Sequence, residues 1–304
     1  MTAKGNYVTA TSNLPPVTLP STSTHIVESR SIPDKLRIDV ATPLEYAEST
    51  RSYPLVYLLD GYWFFAIVSE TMRLLEIAGE MPPAIIVGVG YETAGMPRAE
   101  ARAAEYARLL QLRCRDLTPT RDDSDWWHKA GAPAPILGRF ETGGAEEFLG
   151  ALVRDVKPLV YRNYRADSGD ETLAGYSLGG LFALYTLFCH TDLFNCYVAG
   201  SPSLWWGDEV MFEFEQQYAR KNTDLNKTLF LSMGGLEESG AGAACRMVSN
   251  LRLFIERLSV RRYPSLRWQS VILEGETHAT GIASAFVKGL VSVFARVRQS
   301  GSDG

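Results

Sequence analysis

The sequence predicts an α/β fold in which a mostly parallel sheet carries helices on both faces. Strand-like and helix-like segments alternate from residue 53 to the end of the chain, which is the order that produces parallel strands with crossover helices. The segments 53–59 (YPLVYLL) and 84–89 (AIIVGV) are continuous apolar runs, as expected for strands buried on both faces. With 304 residues, 46% of them hydrophobic, the chain has enough material for one large core.

The first part of the chain predicts a leader and an edge hairpin. Residues 1–23 are rich in Thr, Ser and Pro, and we expect a flexible leader there, followed by a single domain over residues 24–298 and a flexible tail at 299–304. Segments 24–32 and 35–41 alternate apolar and polar residues, which is typical of two half-buried strands joined by a turn. A helix is predicted at 64–77.

The middle of the chain contains a long excursion. Residues 92–143 lose the regular alternation, and we interpret them as an insertion over the active site, with a short helix at 99–110. Regular alternation then resumes. We predict strands at 171–176, 195–199, 228–233 and 267–273, and helices at 145–164, 178–189, 208–220, 243–258 and 283–297.

Composition narrows the classes of partner. The formal net charge is −5, so the chain lacks the basic surface that nonspecific binding to nucleic acid requires. None of the four cysteines forms a C-x-x-C pair and no H-x-x-x-H pattern occurs, so we expect neither a metal nor another cofactor.

No apolar run is long enough to span a bilayer, and the leader lacks the apolar core of a secretory signal, so a cytoplasmic protein is expected. A homodimer is left open.

The strongest motif is a G-x-S-x-G sequence at residues 175–179. It lies between a predicted strand (ETLAGY) and a predicted apolar helix (LGGLFALYTLFC). A nucleophilic serine in an α/β hydrolase occupies this sharp strand-to-helix turn, with glycines on either side where the backbone passes closely. Ser177 is therefore predicted to be the nucleophile, in a domain with the α/β-hydrolase fold.

A serine hydroxyl needs a general base, and elimination selects one. The chain has four histidines. His25 precedes the first strand, His128 lies in the insertion, and His190 ends the helix after Ser177, far from the serine. His278 follows the last predicted strand, where the base of this fold belongs. We predict His278 as the base.

The third catalytic residue should follow a strand between the serine and the histidine. The strand at 228–233 is followed by Gly234-Gly235-Leu236-Glu237-Glu238. Glu237 is the preferred acid, with Glu238 as the first alternative and Asp208, after the preceding strand, as the second.

Two backbone amides should form the oxyanion hole. One is predicted to come from Leu178, directly after the serine. The other is predicted to come from Tyr62, in the loop after the strand at 53–59, because Gly61 permits a turn that directs this amide into the site. Asp60 is expected to stabilise that turn.

Six segments, taken in order, resemble the Putative esterase family of α/β hydrolases. They are LVYLLDGYWFF, RCRDLTPT, GGAEEFLGALVRDVKPLVYRNY, GYSLGGLFALY, SPSLWW and EGETHAT, and the resemblance runs from about residue 51 to residue 290. That family includes trilactone hydrolases of catecholate siderophores, such as enterobactin and bacillibactin esterases, and more distantly S-formylglutathione hydrolase and the mycolyltransferases. The resemblance implies roles for Ser177, His278 and Glu237 as the triad. It implies oxyanion-hole positions at Tyr62 and Leu178. The adjacent Glu238 departs from the family pattern.

Paired tryptophans in loops suggest where a substrate is bound. Large apolar faces exposed in loops often contact ligands, so Trp205, Trp206, Trp126 and Trp127 are candidate substrate-binding residues. Packing of Trp205 and Trp206 against the sheet edge is an equally open alternative. Arg113 could bind an anionic group of the substrate, although pairing of Arg113 and Arg115 with nearby aspartates (Asp116, Asp122 and Asp123) is the favoured interpretation.

The predicted activity is hydrolysis of a carboxylic ester through an acyl-enzyme, on a siderophore-like lactone or another small ester. Two alternatives stay open. One is an acyltransferase of the same fold, and the other is a catalytically inactive binding protein, although such proteins commonly lose the serine or the histidine that this chain retains.

Overall fold

The computed structural model describes residues 17–93, 101–126 and 139–300. Within these residues one sheet of eight strands runs through the molecule, in the spatial order β1-β2-β4-β3-β5-β6-β7-β8. The strands are β1 (Thr22–Val27), β2 (Leu36–Ala41), β3 (Tyr53–Leu59), β4 (Ile85–Tyr91), β5 (Ala166–Tyr176), β6 (Cys196–Gly200), β7 (Thr228–Gly234) and β8 (Arg267–Leu273).

The strand directions place the functional loops at one edge of the sheet. The β1–β2 and β2–β4 pairs are antiparallel, with Leu36 opposite Tyr91, whereas β3 to β8 are parallel to one another. The carboxyl ends of β3, β5, β6, β7 and β8 therefore meet along the same edge. This is where ligands bind in open α/β sheets.

The helices cover both faces of the sheet, as predicted. Phe64 and Phe286, from the helices at Gly61–Ile77 and Ile282–Ser300, pack with Val56 and Leu58 on one face. Leu55 and Tyr57 point to the other face and join a larger core, because side chains alternate along a strand. The α-helices are α1 (Gly61–Ile77), α2 (Ala101–Asp116), α3 (Ala145–Ala151), α4 (Lys157–Asn163), α5 (Leu178–Cys189), α6 (Trp206–Lys221), α7 (Met247–Arg261) and α8 (Ile282–Ser300).

Most predicted elements are confirmed, and several bounds differ for physical reasons. The predicted helix at 145–164 contains a π-helical turn over Leu152–Val156, which joins α3 and α4 into one continuous helical unit. The predicted helix at 243–258 begins only at Met247, because Gly240–Cys245 forms a 3₁₀ helix first. The helix in the insertion extends to Asp116, well beyond residue 110.

The ends of the chain are only partly described. Residues 1–16 and 301–304, which hold most of the predicted leader and tail, lie outside the described residues, and β1 begins at Thr22 inside the predicted leader. None of the helices in the described part of the chain combines the length and apolar content that a membrane crossing needs.

Candidate active site

Ser177 occupies a strained turn between β5 and α5. Its backbone has φ 62° and ψ −119°, a conformation that residues with a side chain rarely adopt. The turn is fixed on both sides, because the Ser177 N–H donates to the Gly200 carbonyl (2.9 Å) and the Ser177 carbonyl accepts from the Leu181 N–H (2.9 Å). The side chain is thus presented, half-buried, at the carboxyl edge of the sheet.

Both glycines of the motif lie in closely packed surroundings, and one of them cannot be replaced. A Cβ added to Gly175 would lie 2.2 Å from the Gly179 carbonyl oxygen, a distance that no real structure tolerates. A Cβ on Gly179 would lie 3.2 Å from the Asp60 carboxylate and 3.5 Å from the Leu59 side chain. Strand β5, helix α5 and the loop after β3 therefore meet around Ser177, with no room for a Cβ at Gly175 and little room for one at Gly179.

Glu237 and His278 are in direct contact. The His278 Nδ1 atom lies 2.6 Å from the Glu237 Oε2 atom. Glu237 is buried, with 1% of its side chain exposed, whereas 47% of the His278 side chain is exposed. The other carboxylate oxygen, Oε1, accepts from the Gly234 N–H (2.7 Å) and contacts the Ser201 hydroxyl (2.6 Å). Oε1 thus fixes the carboxylate to the protein, and Oε2 is free to face the imidazole of His278.

The two alternative acids have other surroundings. Glu238 accepts hydrogen bonds from the N–H and the hydroxyl of Ser249, both at 2.6 Å, in the first turn of α7. These bonds lower the pKa of Glu238. Its negative charge therefore stabilises the N-terminus of α7. Asp208 is exposed, with a left-handed backbone (φ 52°) at the start of α6. Of the three candidates, it is Glu237 that contacts His278.

The loop after β3 places Tyr62 in the first turn of α1. Asp60 has a left-handed backbone (φ 53°), and its carbonyl accepts from the Trp63 and Phe64 N–H groups. A Cβ on Gly61 would lie 2.6 Å from the Gly88 carbonyl carbon, so only glycine fits between this turn and β4. Leu178 is the first residue of α5. Both predicted oxyanion-hole amides therefore belong to helix N-termini at the carboxyl edge of the sheet, where amides attract anions.

Arg113 is paired with Asp60, a partner that sequence reasoning did not consider. Its Nε and Nη2 atoms each donate to one Asp60 oxygen at 2.9 Å, and both side chains are buried. Burial opposes the charge on Arg113, but the Asp60 carboxylate outweighs it, so that the pKa of Arg113 is raised. Arg115 pairs with Asp116, as the pairing interpretation expected, and with Asp34. Arg113 is thus a buried cation behind the Tyr62 loop.

The tryptophans differ from the expectation of exposed apolar faces. Trp206 is fully buried, and Trp126 and Trp205 are each 7% exposed. The three rings pack on one another with centroids 5.1–6.0 Å apart, and the Trp206 indole N–H donates to the Thr120 hydroxyl. Their large faces pack into the core between the insertion and α6, so the exposure assumed for them is wrong. Trp127 lies outside the described residues.

Sequence reasoning missed two residues of the site. Tyr176 occupies a variable position of the motif, yet its hydroxyl donates to the His278 carbonyl (2.8 Å). Ser201, directly after β6, is fully buried between Tyr176 and Glu237. Ser201 follows β6, which neighbours the strand that ends before Ser177, and this position is a usable signal. Nothing local distinguishes its hydroxyl from that of Ser203.

Comparison with known proteins gives the family. The model of the Putative esterase family matches residues 29–111 and 119–248. The chain belongs to the Putative esterase family. It is 31% identical over 271 residues to the ferri-bacillibactin esterase BesA of Bacillus subtilis, and the matched region covers 86% of this chain and 85% of that protein.

Solved structures agree with the family. The crystal structure of the BES protein from Bacillus cereus is similar to this chain with a TM-score of 0.75 and 29% identity, over 93% of this chain and 99% of that one. An IroE-like serine hydrolase from Shewanella oneidensis also has a TM-score of 0.75, at 25% identity, over 90% of this chain and 80% of that one. The predicted family, the α/β-hydrolase fold and the esterase class are confirmed. This family member is a serine esterase.

Proposed function

We propose that this esterase works through an acyl-enzyme in which Ser177 is the nucleophile, His278 the general base and Glu237 the acid that orients the imidazole. The observation that carries this proposal is the 2.6 Å contact between His278 Nδ1 and Glu237 Oε2, across 41 positions of sequence, beside the strained serine turn. A serine paired with a base that a third group orients is the arrangement that activates the hydroxyl.

The first half of the reaction transfers the acyl group to the enzyme. Ser177 Oγ attacks the ester carbonyl carbon while His278 Nε2 accepts the hydroxyl proton, and the resulting imidazolium is stabilised by the Glu237 carboxylate at Nδ1. The tetrahedral intermediate collapses when the C–O bond to the alcohol breaks. The alcohol oxygen takes the proton from His278, which leaves an acylated Ser177 and a neutral imidazole.

The developing oxyanion is stabilised by fixed positive groups. The Leu178 and Tyr62 amides belong to the first turns of α5 and α1, and such preorganised donors contribute roughly 3–4 kcal/mol each in other serine hydrolases. The buried Arg113 guanidinium lies beside the same loop through Asp60, whose Oδ2 would be 3.2 Å from a Cβ on Gly179. The Asp60–Arg113 pair carries no net charge as a whole, so it fixes the Tyr62 turn and leaves the oxyanion to the two amides.

The second half of the reaction releases the acid. A water molecule replaces the alcohol, His278 removes its proton, and the hydroxide attacks the acyl carbon. Collapse of the second intermediate returns the proton to Ser177 Oγ. The exposed edge of His278 gives water and product direct access to the base.

The proposed substrates are siderophores that contain ester bonds, in particular cyclic trilactones. This assignment is supported by the 31% identity with a ferri-bacillibactin esterase over most of both chains. It is tested by ranking kcat/KM for bacillibactin and enterobactin, with and without iron, against p-nitrophenyl acetate and butyrate. A trilactone that ranks below the simple esters would reject the substrate class without rejecting the esterase. A substrate role for Trp126, Trp205 and Trp206 is confined to their few exposed atoms.

The proposed catalytic roles are tested with Ser177→Ala and His278→Ala. Each should lower kcat for p-nitrophenyl butyrate by roughly 10⁴-fold or more, as in other serine hydrolases, while His190→Ala should leave kcat unchanged. Labelling with a fluorophosphonate should add its mass to Ser177 alone. Full turnover in Ser177→Ala would reject the assignment, no turnover in the wild type would favour a binding protein, and transfer to added alcohols in preference to water would favour an acyltransferase. The cytoplasmic location and the homodimer stay predictions.

A further inference from the structure

Two buried hydroxyl groups lie between the loops that carry the acid and the base. Tyr176 is 1% exposed and Ser201 is fully buried. The Tyr176 hydroxyl lies 2.8 Å from the His278 carbonyl oxygen, the Ser201 hydroxyl lies 2.9 Å from the Tyr176 hydroxyl, and the same Ser201 oxygen lies 2.6 Å from Glu237 Oε1. These contacts form an unbroken chain of oxygen atoms from Glu237 to the main chain of His278.

Counting protons fixes the direction of these bonds. A carbonyl oxygen only accepts, so Tyr176 must donate its single proton to His278. An ionised carboxylate also only accepts, and a serine lone pair facing it at 2.6 Å would be repelled, so Ser201 donates to Glu237. Each hydroxyl therefore holds one member of the proposed Glu237–His278 pair. Both protons are then used, so the 2.9 Å contact between the Ser201 and Tyr176 oxygens has no proton of its own. Burial, together with the charge of Glu237, raises the pKa of Tyr176, so this donor stays protonated across the pH range in which esterases work.

The position of Tyr176 ties the base to the nucleophile. Tyr176 directly precedes Ser177, whose own N–H is fixed to the Gly200 carbonyl. Its ring packs against His278 (centroids 5.1 Å apart) and against Phe64 and Phe286, so the hydroxyl cannot move far. A shift of the His278 main chain relative to Ser177 must break the Tyr176 bond.

The base loop needs such an anchor. Residues 277–280 are exposed, and His278 has 47% of its side chain in solvent. Neighbouring main-chain bonds hold Glu276, through the Leu236 N–H, and Thr277, through the Gly281 N–H. The Tyr176 hydroxyl acts at His278 itself.

We propose that Tyr176 and Ser201 are positioning residues for the esterase reaction: Tyr176 fixes the main chain of His278 relative to Ser177, and Ser201 fixes the Glu237 carboxylate against the imidazole. This inference rests on the proposed triad. Neither hydroxyl touches the reacting atoms, so their effect is on the geometry of proton transfer and therefore on kcat. Small displacements of a catalytic group lower rates by up to about 10²-fold.

The experiment compares Tyr176→Phe, Ser201→Ala and a matched control, Tyr185→Phe. Tyr185 is also a buried tyrosine whose hydroxyl donates to a carboxylate, Glu146 (2.7 Å), but it lies on the body of α5. Steady-state kcat and KM are measured for p-nitrophenyl butyrate. The value of kcat is calculated per active site, and the sites are counted by complete labelling with a fluorophosphonate. This count removes any misfolded fraction from the comparison.

We expect Tyr176→Phe and Ser201→Ala to lower kcat per labelled site about 10-fold and about 3- to 10-fold, with KM within about twofold of the wild type. Tyr185→Phe should keep the wild-type kcat. Wild-type kcat per labelled site in either test variant overturns the inference, as does an equal loss in the control. If Ser177→Ala is still active, the proposed triad fails, which is a separate result.

Discussion

Replacement of Glu237 by glutamine tests whether the hydrogen bonds around this residue set the protonation of His278. Oε1 accepts the Gly234 N–H, which can only donate, so in Glu237→Gln the amide oxygen of the new side chain should take this place. The amide NH₂ then faces Nδ1 at the former 2.6 Å contact. This would move the imidazole proton to Nε2, where it blocks acceptance of the Ser177 proton.

The magnitude follows from the cost of the opposite amide orientation. If the glutamine amide is turned over, its oxygen faces His278 Nδ1 and the imidazole keeps the correct tautomer. The amide NH₂ then faces the buried Gly234 N–H, which loses its acceptor, whereas the Ser201 hydroxyl can rotate to accept from the NH₂. One buried unsatisfied donor plus the lost charge on Glu237 costs about 3–4 kcal/mol. Since about 1.4 kcal/mol is a factor of ten, we expect kcat to fall about 10²- to 10³-fold. The exposed imidazole keeps the loss below the ~10⁴-fold seen for a fully enclosed triad.

The assay is hydrolysis of p-nitrophenyl butyrate by Glu237→Gln, Glu237→Ala and the control Glu238→Gln. Glu237→Ala removes the acid without imposing a tautomer, so it should be no worse than the isosteric glutamine. Glu238→Gln should keep wild-type kcat, because this side chain is bonded to Ser249. A Glu237→Gln enzyme within about threefold of the wild type, or an equal loss in Glu238→Gln, would refute the reasoning.

Three further predictions concern stability. Gly175→Ala should lower the urea-derived free energy of unfolding by about 3 kcal/mol or prevent folding, because its Cβ would overlap the Gly179 carbonyl, and an unchanged value would contradict this close approach. Arg113→Met should cost about 3–5 kcal/mol by leaving Asp60 charged and buried, and adding Asp60→Asn should recover part of it in the same assay; no recovery would argue against pairing. Glu238→Gln should lower Tm at pH 7. Because the folded pKa of Glu238 is lowered, its contribution is present above its unfolded pKa near 4.5 and is lost as pH falls through the folded value, so the Tm difference should vanish in acid; a constant difference would refute this.

The sequence predicted the elements whose signal is local. Strands β3 and β8 and helix α5 have the predicted bounds, because each is a continuous apolar or regularly patterned run between clear breaks. The π-helical turn at Leu152–Val156 was invisible because its residues fit an α-helical pattern equally well. The 3₁₀ segment at Gly240–Cys245 displaced the start of α7 for the same reason.

Within the candidate site, residue type and order along the chain identify candidates where few residues of the required type exist. Four histidines and one serine motif left few combinations, so His278 and Ser177 could be selected. The Asp60–Arg113 pair joins residues 53 positions apart, and no local pattern specifies such a partner. The burial of Trp206 depends on packing between α6 and the insertion, which a pair of adjacent tryptophans does not reveal.

The positive φ of Ser177 has a consequence for the stability of the whole enzyme. A non-glycine residue at φ 62° and ψ −119° costs about 1–3 kcal/mol, whereas glycine adopts this conformation freely. Backbone strain is therefore present at the residue that we propose as the nucleophile. Exchanging that residue for glycine should yield an inert protein with a higher melting temperature, suited to trapping an uncleaved ester for crystallography.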